Sequence, residues 1–363
     1  MKVLFIIDDL RSGGAQRQMI NLARDFKSAG YSVLIYFYYP HYYYRQYLEE
    51  REIKSHCINI KNPVKRIILF RRAIRRENPM AVIAFMGVPS LIATLSSLPG
   101  KRWNLIVGER SADPKILRSF KSIIIRFFHV FANYVVANSE ANIEIVRRVN
   151  PLIPKKKFRI IYNSIDLKEY IFDQDFQFVK DSILRIIILA SYRELKNPYG
   201  MIEAVNMLDE ESKNRLKIDW YGDKSNNKES VLEKSDSLIN KYNLNKIIQF
   251  NDIHRSVNTL IQEYDAVALF SYFEGFPNAV CEGMACGKVI ISSKVSDIPL
   301  FISDKSNGFL FNPNDIVSIR NALYAAIHTP PEKLQHMGRK NRMISEQLFD
   351  NKLIFSQYTS LIK

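Results

Sequence analysis

Apolar residues along this chain come in short dense runs, separated by stretches where they recur every three or four positions. Runs at 2–7, 31–39, 81–86, 105–107, 134–137 and 158–162 have the length and β-branched content of strands buried on both faces. The same reading applies to 184–190, 216–222, 247–250, 266–270 and 288–292. Between them the period becomes helical. Met19, Ile20, Leu22, Ala23 and Phe26 predict a helix over 16–30. Ile67, Phe70 and Ile74 predict an amphipathic helix over 64–78, with Lys65, Arg66, Arg71, Arg72, Arg75 and Arg76 on its outer face. Ile116, Leu117, Phe120, Ile123, Ile124, Phe127, Phe128 and Phe131 predict another over about 115–133, its apolar stripe covering a sheet. A buried helix is expected at 89–97, and a long final one over about 340–362. Strands alternating with helices indicate an α/β fold, and 363 residues exceed one ordinary core, so two domains are expected.

Composition changes this picture in three places. The segment 81–100 has no charged residue over twenty positions, the length a bilayer requires. Gly87, Pro89 and Pro99 leave it only moderately apolar, so a strand and a buried helix are expected there rather than a transmembrane span. The opening MKVLFIIDD turns acidic too early for a signal peptide and reads as a first strand. Cys57, Cys281 and Cys286 form neither a metal spacing nor a disulfide framework, which fits a reducing compartment.

The net charge of +15 is unevenly spread. Residues 1–165 hold 28 Lys/Arg and 11 Asp/Glu, a balance of +17, whereas 166–363 hold 24 and 26, a balance of −2. A basic half beside a near-neutral half suggests an anionic partner for the first: nucleic acid, an anionic membrane or a pyrophosphate-bearing substrate. The tyrosine-rich run from Tyr36 to Tyr47 suits a boundary between oily and wet surroundings, or an edge strand and loop.

Candidate chemistry concentrates between Tyr264 and Asn314. Two carboxylates, Glu274 and Glu282, stand with seven residues between them, flanked by two buried strands. Gly275 and Pro277 break the chain, and a mostly apolar helix follows from Asn278 to a stop at Gly287. Its N-terminus falls at the carboxyl end of a strand, where a phosphorylated ligand is expected. Gly13 and Gly14, before the first helix, allow close backbone approach to a phosphate. After the strand at 184–190, Arg193 and Lys196 place two cations at a strand's carboxyl end, able to neutralise a departing diphosphate. Asp173-Gln174-Asp175 has the D-x-D spacing of some metal sites, but it falls in an aromatic linker at about 163–182, so no metal is expected.

The Glu274–Glu282 stretch, with Glu-Gly-Phe-Pro-Asn at its start, closely resembles the signature of retaining GT-B glycosyltransferases of family 4. Gly13-Gly14-Ala15-Gln16-Arg17 resembles the family's first loop, and Asn163-Ser164-Ile165-Asp166 its crossing into a second domain, with Ser164 in place of glycine. The resemblance implies two Rossmann-like domains facing across a cleft. Residues 1–165 would form the acceptor domain, joined by a crossing helix at about 347–363, and 180–346 the donor domain. It implies that Glu282 accepts hydrogen bonds from a ribose, and that Glu274 lies by the donor sugar and its diphosphate. Phe276, Pro277, Asn278 and Ala279 would contact the donor through the backbone, Gly14 would close over the diphosphate, and Lys196 with Arg193 would stabilise the leaving group. Many family members carry a histidine near the sugar where this chain has Glu109-Arg110, which makes that pair a candidate acceptor or sugar contact.

The function so implied is transfer of a sugar, with retention, from a nucleoside-diphosphate sugar (UDP being expected) to a membrane-associated, polyprenyl-diphosphate-linked glycan in polysaccharide biosynthesis. No cofactor is required. The partners are the donor, the lipid-linked acceptor and an anionic membrane surface met by the basic first half, and the location is cytoplasmic, peripheral at the inner membrane face. Alternatives are a GT-B sugar-nucleotide epimerase or hydrolase, and a basic nucleic-acid-binding protein. The basic residues follow no known nucleic-acid-reading motif, so nucleic acid is not expected as a partner.

Overall fold

The short apolar runs pair into two all-parallel sheets. The structure, a computed structural model, describes residues 1–110, 114–174, 178, 182–226, 230–254 and 256–362. By internal contacts the chain divides into Met1–Ser164 with Asn351–Lys363, and Ile165–Asp350. The first unit holds β1 (Lys2–Ile6), β2 (Ser32–Phe37), β3 (Lys54–Cys57), β4 (Ala81–Phe85), β5 (Asn104–Glu109), β6 (Tyr134–Ala137) and β7 (Phe158–Ile160), in the order β3-β2-β1-β4-β5-β6-β7. The second holds β8 (Leu184–Leu189), β9 (Leu216–Tyr221), β10 (Ile248–Asn251), β11 (Ala266–Leu269), β12 (Val289–Ser293) and β13 (Gly308–Phe311), in the order β10-β9-β8-β11-β12-β13. Both orders reverse once, between β1 and β4 and between β8 and β11. These are two Rossmann-like sheets, the architecture of GT-B proteins.

Alternation along a strand explains why both faces of the first sheet are covered. Val3 and Phe5 pack with Met19 and Phe26 of the helix Gly14–Ser28, while Leu4 and Ile6 pack with Phe70 and Ile74 of the helix Pro63–Glu77. The C-terminal helix Asn351–Ile362 belongs to the first of these layers, with Phe355 edge-on to Phe26 at 5.0 Å. Among the described residues no helix is long and apolar enough to cross a membrane.

Three expectations are corrected. The final helix is two, Pro331–Leu348 and Asn351–Ile362, because the Phe349 carbonyl turns aside to accept Ile165 N at 2.8 Å. The crossing helix therefore starts at Asn351. The helix expected over 115–133 is three pieces, Pro114–Arg118, Phe120–Phe127 and Phe128–Phe131, and its apolar stripe faces solvent: Phe120 is 77% exposed. Finally, β3 and β13 form where no strand was expected. Both are four-residue edge strands, and the β3 sequence KSHC carries no apolar run.

The helix Asn278–Ala285 lies against β11 and β12 through Gly283. A Cβ there would sit 2.5 Å from Val267 Cγ2 and 2.8 Å from Val267 Cβ, inside contact distance of a fully buried strand side chain. Gly283→Ala is therefore expected to destabilise the protein by ~1–3 kcal/mol through overpacking. Urea unfolding of parent and variant checks this; equal midpoints and slopes would show that the helix does not need so close an approach.

Candidate functional site

In a sheet that reverses its order, the loops leaving the two diverging strands frame a ligand crevice. In the second unit those strands are β8 and β11. After β8 the chain turns through Glu194–Lys196 into the helix Pro198–Asn206. Asn197 makes that entry in the left-handed region, at φ 57°. Its side chain accepts from Gly200 N at 3.0 Å and donates to the Pro313 carbonyl at 3.0 Å. Asparagine tolerates this backbone and caps the helix at the same time. The loop after β11 is tied to the same residue. Tyr272 N donates to the Leu195 carbonyl at 3.0 Å, and the Tyr272 hydroxyl donates to Asn197 Oδ1 at 2.9 Å.

Between these loops Lys196 Nζ donates to Glu274 Oε1 at 2.6 Å, and the Ser271 hydroxyl donates to the same oxygen at 2.6 Å. The Lys196 and Glu274 side chains are 18% and 13% exposed, so the pair is largely out of water yet reachable. A charge-assisted bond of this kind is stronger than a surface ion pair. An arriving diphosphate can compete for the ammonium, leaving the carboxylate to accept from hydroxyl groups. Arg193, three residues before Lys196, extends its side chain into solvent.

The segment from Glu274 to Asn278 is anchored by Phe276, whose buried ring lies 6.0 Å edge-on from Phe349 and 6.4 Å from Phe301. Pro277 precedes the helix Asn278–Ala285, and its ring cannot cap the first turn. Asn278 N donates to the Phe276 carbonyl at 3.0 Å, and the partial positive charge of that terminus favours an anion. Asn278 is half-buried and Ala279 buried. Glu282 is on the second turn, 6% exposed.

Gly14 belongs to the first unit, where it opens the helix Gly14–Ser28. Its neighbour Gly13 has an extended backbone, and a Cβ there would sit 2.3 Å from Gln16 Oε1. Gln16 folds back because its amide donates to Asp8 Oδ1 at 3.2 Å and Asp9 Oδ1 at 3.1 Å. Burial, and then the charge of Asp9, raise the Asp8 carboxyl above its ordinary range. Two acids thus order the glycine loop, a role that its sequence did not suggest.

Glu109 is not available as a sugar contact. Its side chain is 3% exposed, with Oε2 accepting from Arg126 Nη2 at 2.6 Å and Oε1 bonded to His129 Nε2 at 2.7 Å. Burial alone would push this carboxyl up; the His129 hydrogen bond and the Arg126 charge outweigh it and hold it below the usual glutamate range. Arg110 donates to Asn163 Oδ1 at 2.8 Å and to the Tyr358 hydroxyl at 2.6 Å, with its guanidinium 3.9 Å over the Phe85 ring. It braces the end of the first unit against the C-terminal helix.

Ser111 and Asp113 of the same turn lie outside the described residues, as does Asp175 of the D-x-D pattern, while Asp173 is exposed. Among the described residues no group of three or more His, Cys, Asp or Glu comes together as a metal site. Sequence reasoning missed Ser271, Tyr272 and Asn197. The Asn197-Pro198 pair was the readable signal, since Asn before Pro at N1 marks a helix start.

Comparison with known proteins points the same way. The family described as Glycosyl transferases group 1 matches residues 172–343, and Glycosyltransferase Family 4 matches 12–169. A Campylobacter jejuni relative is 23% identical over 339 residues, covering 89% of this chain and 88% of that protein. It is named as an α-1,4-N-acetyl-D-galactosaminyltransferase for GalNAc-α-(1→4)-GalNAc-α-(1→3)-diNAcBac-PP-undecaprenol. A Bacillus anthracis relative, N-acetyl-α-D-glucosaminyl L-malate synthase, is 23% identical over 298 residues, covering 79% of this chain and 75% of that one. In fold, the Anabaena protein HepE in complex with UDP superposes with a TM-score of 0.86 at 17% identity, covering 99% of each chain.

The buried trio around Glu109 generates its own test. Glu109→Gln leaves Arg126 without a counter-charge, which is expected to cost ~3–5 kcal/mol of stability at neutral pH. The native carboxyl titrates below its unfolded value, so this contribution is complete above the unfolded pKa and is lost as pH falls through the folded one. Denaturant unfolding of parent and variant across acid to neutral pH should show a gap that closes in acid. A stable variant with weakened sugar turnover would instead restore Glu109 as a contact.

Proposed function

The chain belongs to the group 1, family 4 glycosyltransferases, and on that premise we propose that it moves a sugar, with retention, from UDP-sugar to a polyprenyl-diphosphate-linked glycan. The observation that carries this reading is the Lys196–Glu274–Ser271 cluster beside the N-terminus of the helix Asn278–Ala285, at the switch point of the second sheet. The donor's diphosphate takes the Lys196 ammonium and the helix N-terminus, with Arg193 swinging in from solvent. Glu274 accepts from the donor sugar, and Glu282 accepts from the ribose hydroxyls.

As the sugar departs, charge builds on the leaving phosphate. Fixed positive groups around that phosphate lower the barrier most. Retention requires no protein nucleophile, because the departing phosphate can take the acceptor's proton on the same face while both reactants are held in register. With these cations in place the reaction runs without a metal ion.

The acceptor half of the reading rests on the Campylobacter jejuni relative's named undecaprenyl-linked substrate and on the +17 balance of residues 1–165, which suits a diphosphate-bearing lipid. A lipid-linked acceptor places the protein peripherally at an anionic membrane face, on its cytoplasmic side.

Two substitutions test the division of labour between the acids. Glu282→Ala is expected to weaken UDP binding by about 1–3 kcal/mol, through loss of hydrogen bonds to a charged acceptor. Glu274→Ala should leave UDP affinity nearly intact and cut turnover of the donor. Calorimetric titration of UDP and release of UDP from a panel of sugar nucleotides, run in excess EDTA, measure both. Equal loss of UDP affinity in the two variants, or a turnover that EDTA abolishes, would refute the assignment.

A further inference from the structure

The segment expected to cover a sheet turns its apolar stripe outward instead. On the helix Phe120–Phe127 only Ile125 and Arg126 are buried. Phe120, Ile124 and Phe127 are exposed, and Leu117 and Phe131 on the flanking turns continue the stripe at 37% and 45% exposure. Scattered exposed apolar residues require no account, but an aligned stripe of large ones does.

The neighbouring loop adds to it. Leu152 is 74% exposed, and Asn150, two residues earlier, donates to the Phe127 carbonyl at 3.2 Å and to the Arg126 carbonyl at 3.3 Å. The same face carries cations at its border. Lys101 Nζ donates to the Phe131 carbonyl at 3.2 Å, and Lys157 Nζ donates to the Val130 carbonyl at 2.7 Å. Arg118, Lys121, Lys155 and Lys156 are exposed around them. Residues 101–159 hold 13 Lys/Arg against 4 Asp/Glu, and one of those four, Glu109, is buried against Arg126.

We infer that this face, with Phe120, Ile124, Phe127, Phe131 and Leu152 as its apolar ridge, inserts into the headgroup layer of an anionic lipid bilayer. Phenylalanine and isoleucine on one helical face, extended by Phe131 and Leu152 and rimmed by lysine and arginine, have the chemistry of an interfacial anchor: the ridge enters the acyl boundary while the rim meets anionic headgroups. A second copy of this chain is a poorer occupant, because a two-fold contact would set the cationic rim against itself. The inference deepens the proposed membrane-borne acceptor and takes its purpose from that reading, but its measurement does not depend on transferase activity. It also differs from electrostatic attraction by the arginines of the helix Pro63–Glu77, since it requires apolar insertion.

Vesicle binding of the full chain tests it. With vesicles of phosphatidylcholine and phosphatidylglycerol, Phe120→Ser, Phe127→Ser and Phe131→Ser combined should lower partitioning about tenfold or more. Arg118→Gln, Lys121→Gln, Lys155→Gln and Lys156→Gln combined should lower it on anionic vesicles only, and most at low salt. These side chains are exposed, and thermal unfolding verifies that the variants fold. As a direct probe, Phe127→Trp should show blue-shifted emission, quenched by brominated acyl chains.

Absence of quenching with parent-like binding of the triple serine variant would overturn the inference, leaving any binding to electrostatics. A lipid-free parent that is dimeric, and becomes monomeric on the triple substitution, would also overturn it in favour of self-association. If the parent binds no vesicles yet turns over a sugar nucleotide, the inference alone fails. If it inserts but no sugar nucleotide is turned over, the proposed function fails and the anchor stands.

Discussion

The second unit is built to hold one ammonium against one carboxylate at the carboxyl ends of two diverging strands. Lys196 and Glu274 come from loops 78 residues apart in sequence, and they meet at 2.6 Å because each loop is fixed separately. Asn197 fixes the first by accepting a left-handed backbone and capping the following helix. Tyr272 fixes the second by bonding to Asn197 and to the Leu195 carbonyl. A partly dry ion pair needs such support, since desolvation would otherwise offset much of its attraction. Ser271 supplies a further donor to the shared oxygen.

The constraint spreads outward from there. Phe276 anchors the Glu274 loop in a ring cluster with Phe301 and Phe349, and Phe349 is where the final helices break. Gly283 lets the helix Asn278–Ala285 sit hard against Val267, so that its N-terminus is aimed by the sheet rather than by a flexible loop. The same residues thereby serve core packing and the presentation of the site, and a substitution that loosens one is expected to disturb the other.

How much of this was legible in the sequence differs by element. Central strands such as β1, β4, β8 and β11 announced themselves because both faces are buried, which leaves an unbroken apolar run. The four-residue edge strands β3 and β13 did not; KSHC in β3 carries no apolar run. The segment around Phe120 showed a helical period, but periodicity gives the spacing of a stripe and not the side it faces. Glu109 illustrates a different limit. Its candidate role came from standing where many family members carry a histidine, whereas its actual partners, Arg126 and His129, lie 17 and 20 residues away on two other elements. Glu274 and Lys196 were legible as separate residues, while their meeting depended on sheet order, which no local pattern encodes.

In the proposed reaction Lys196 and Glu274 act as a unit on the donor. A double-mutant cycle on kcat/KM for release of UDP from its sugar measures that directly, using Lys196→Met, Glu274→Gln and the two combined. Strong coupling is expected, about 2 kcal/mol or more, with the double variant no slower than the worse single one. Losses that simply multiply would mean that the two groups work independently, and would contradict it.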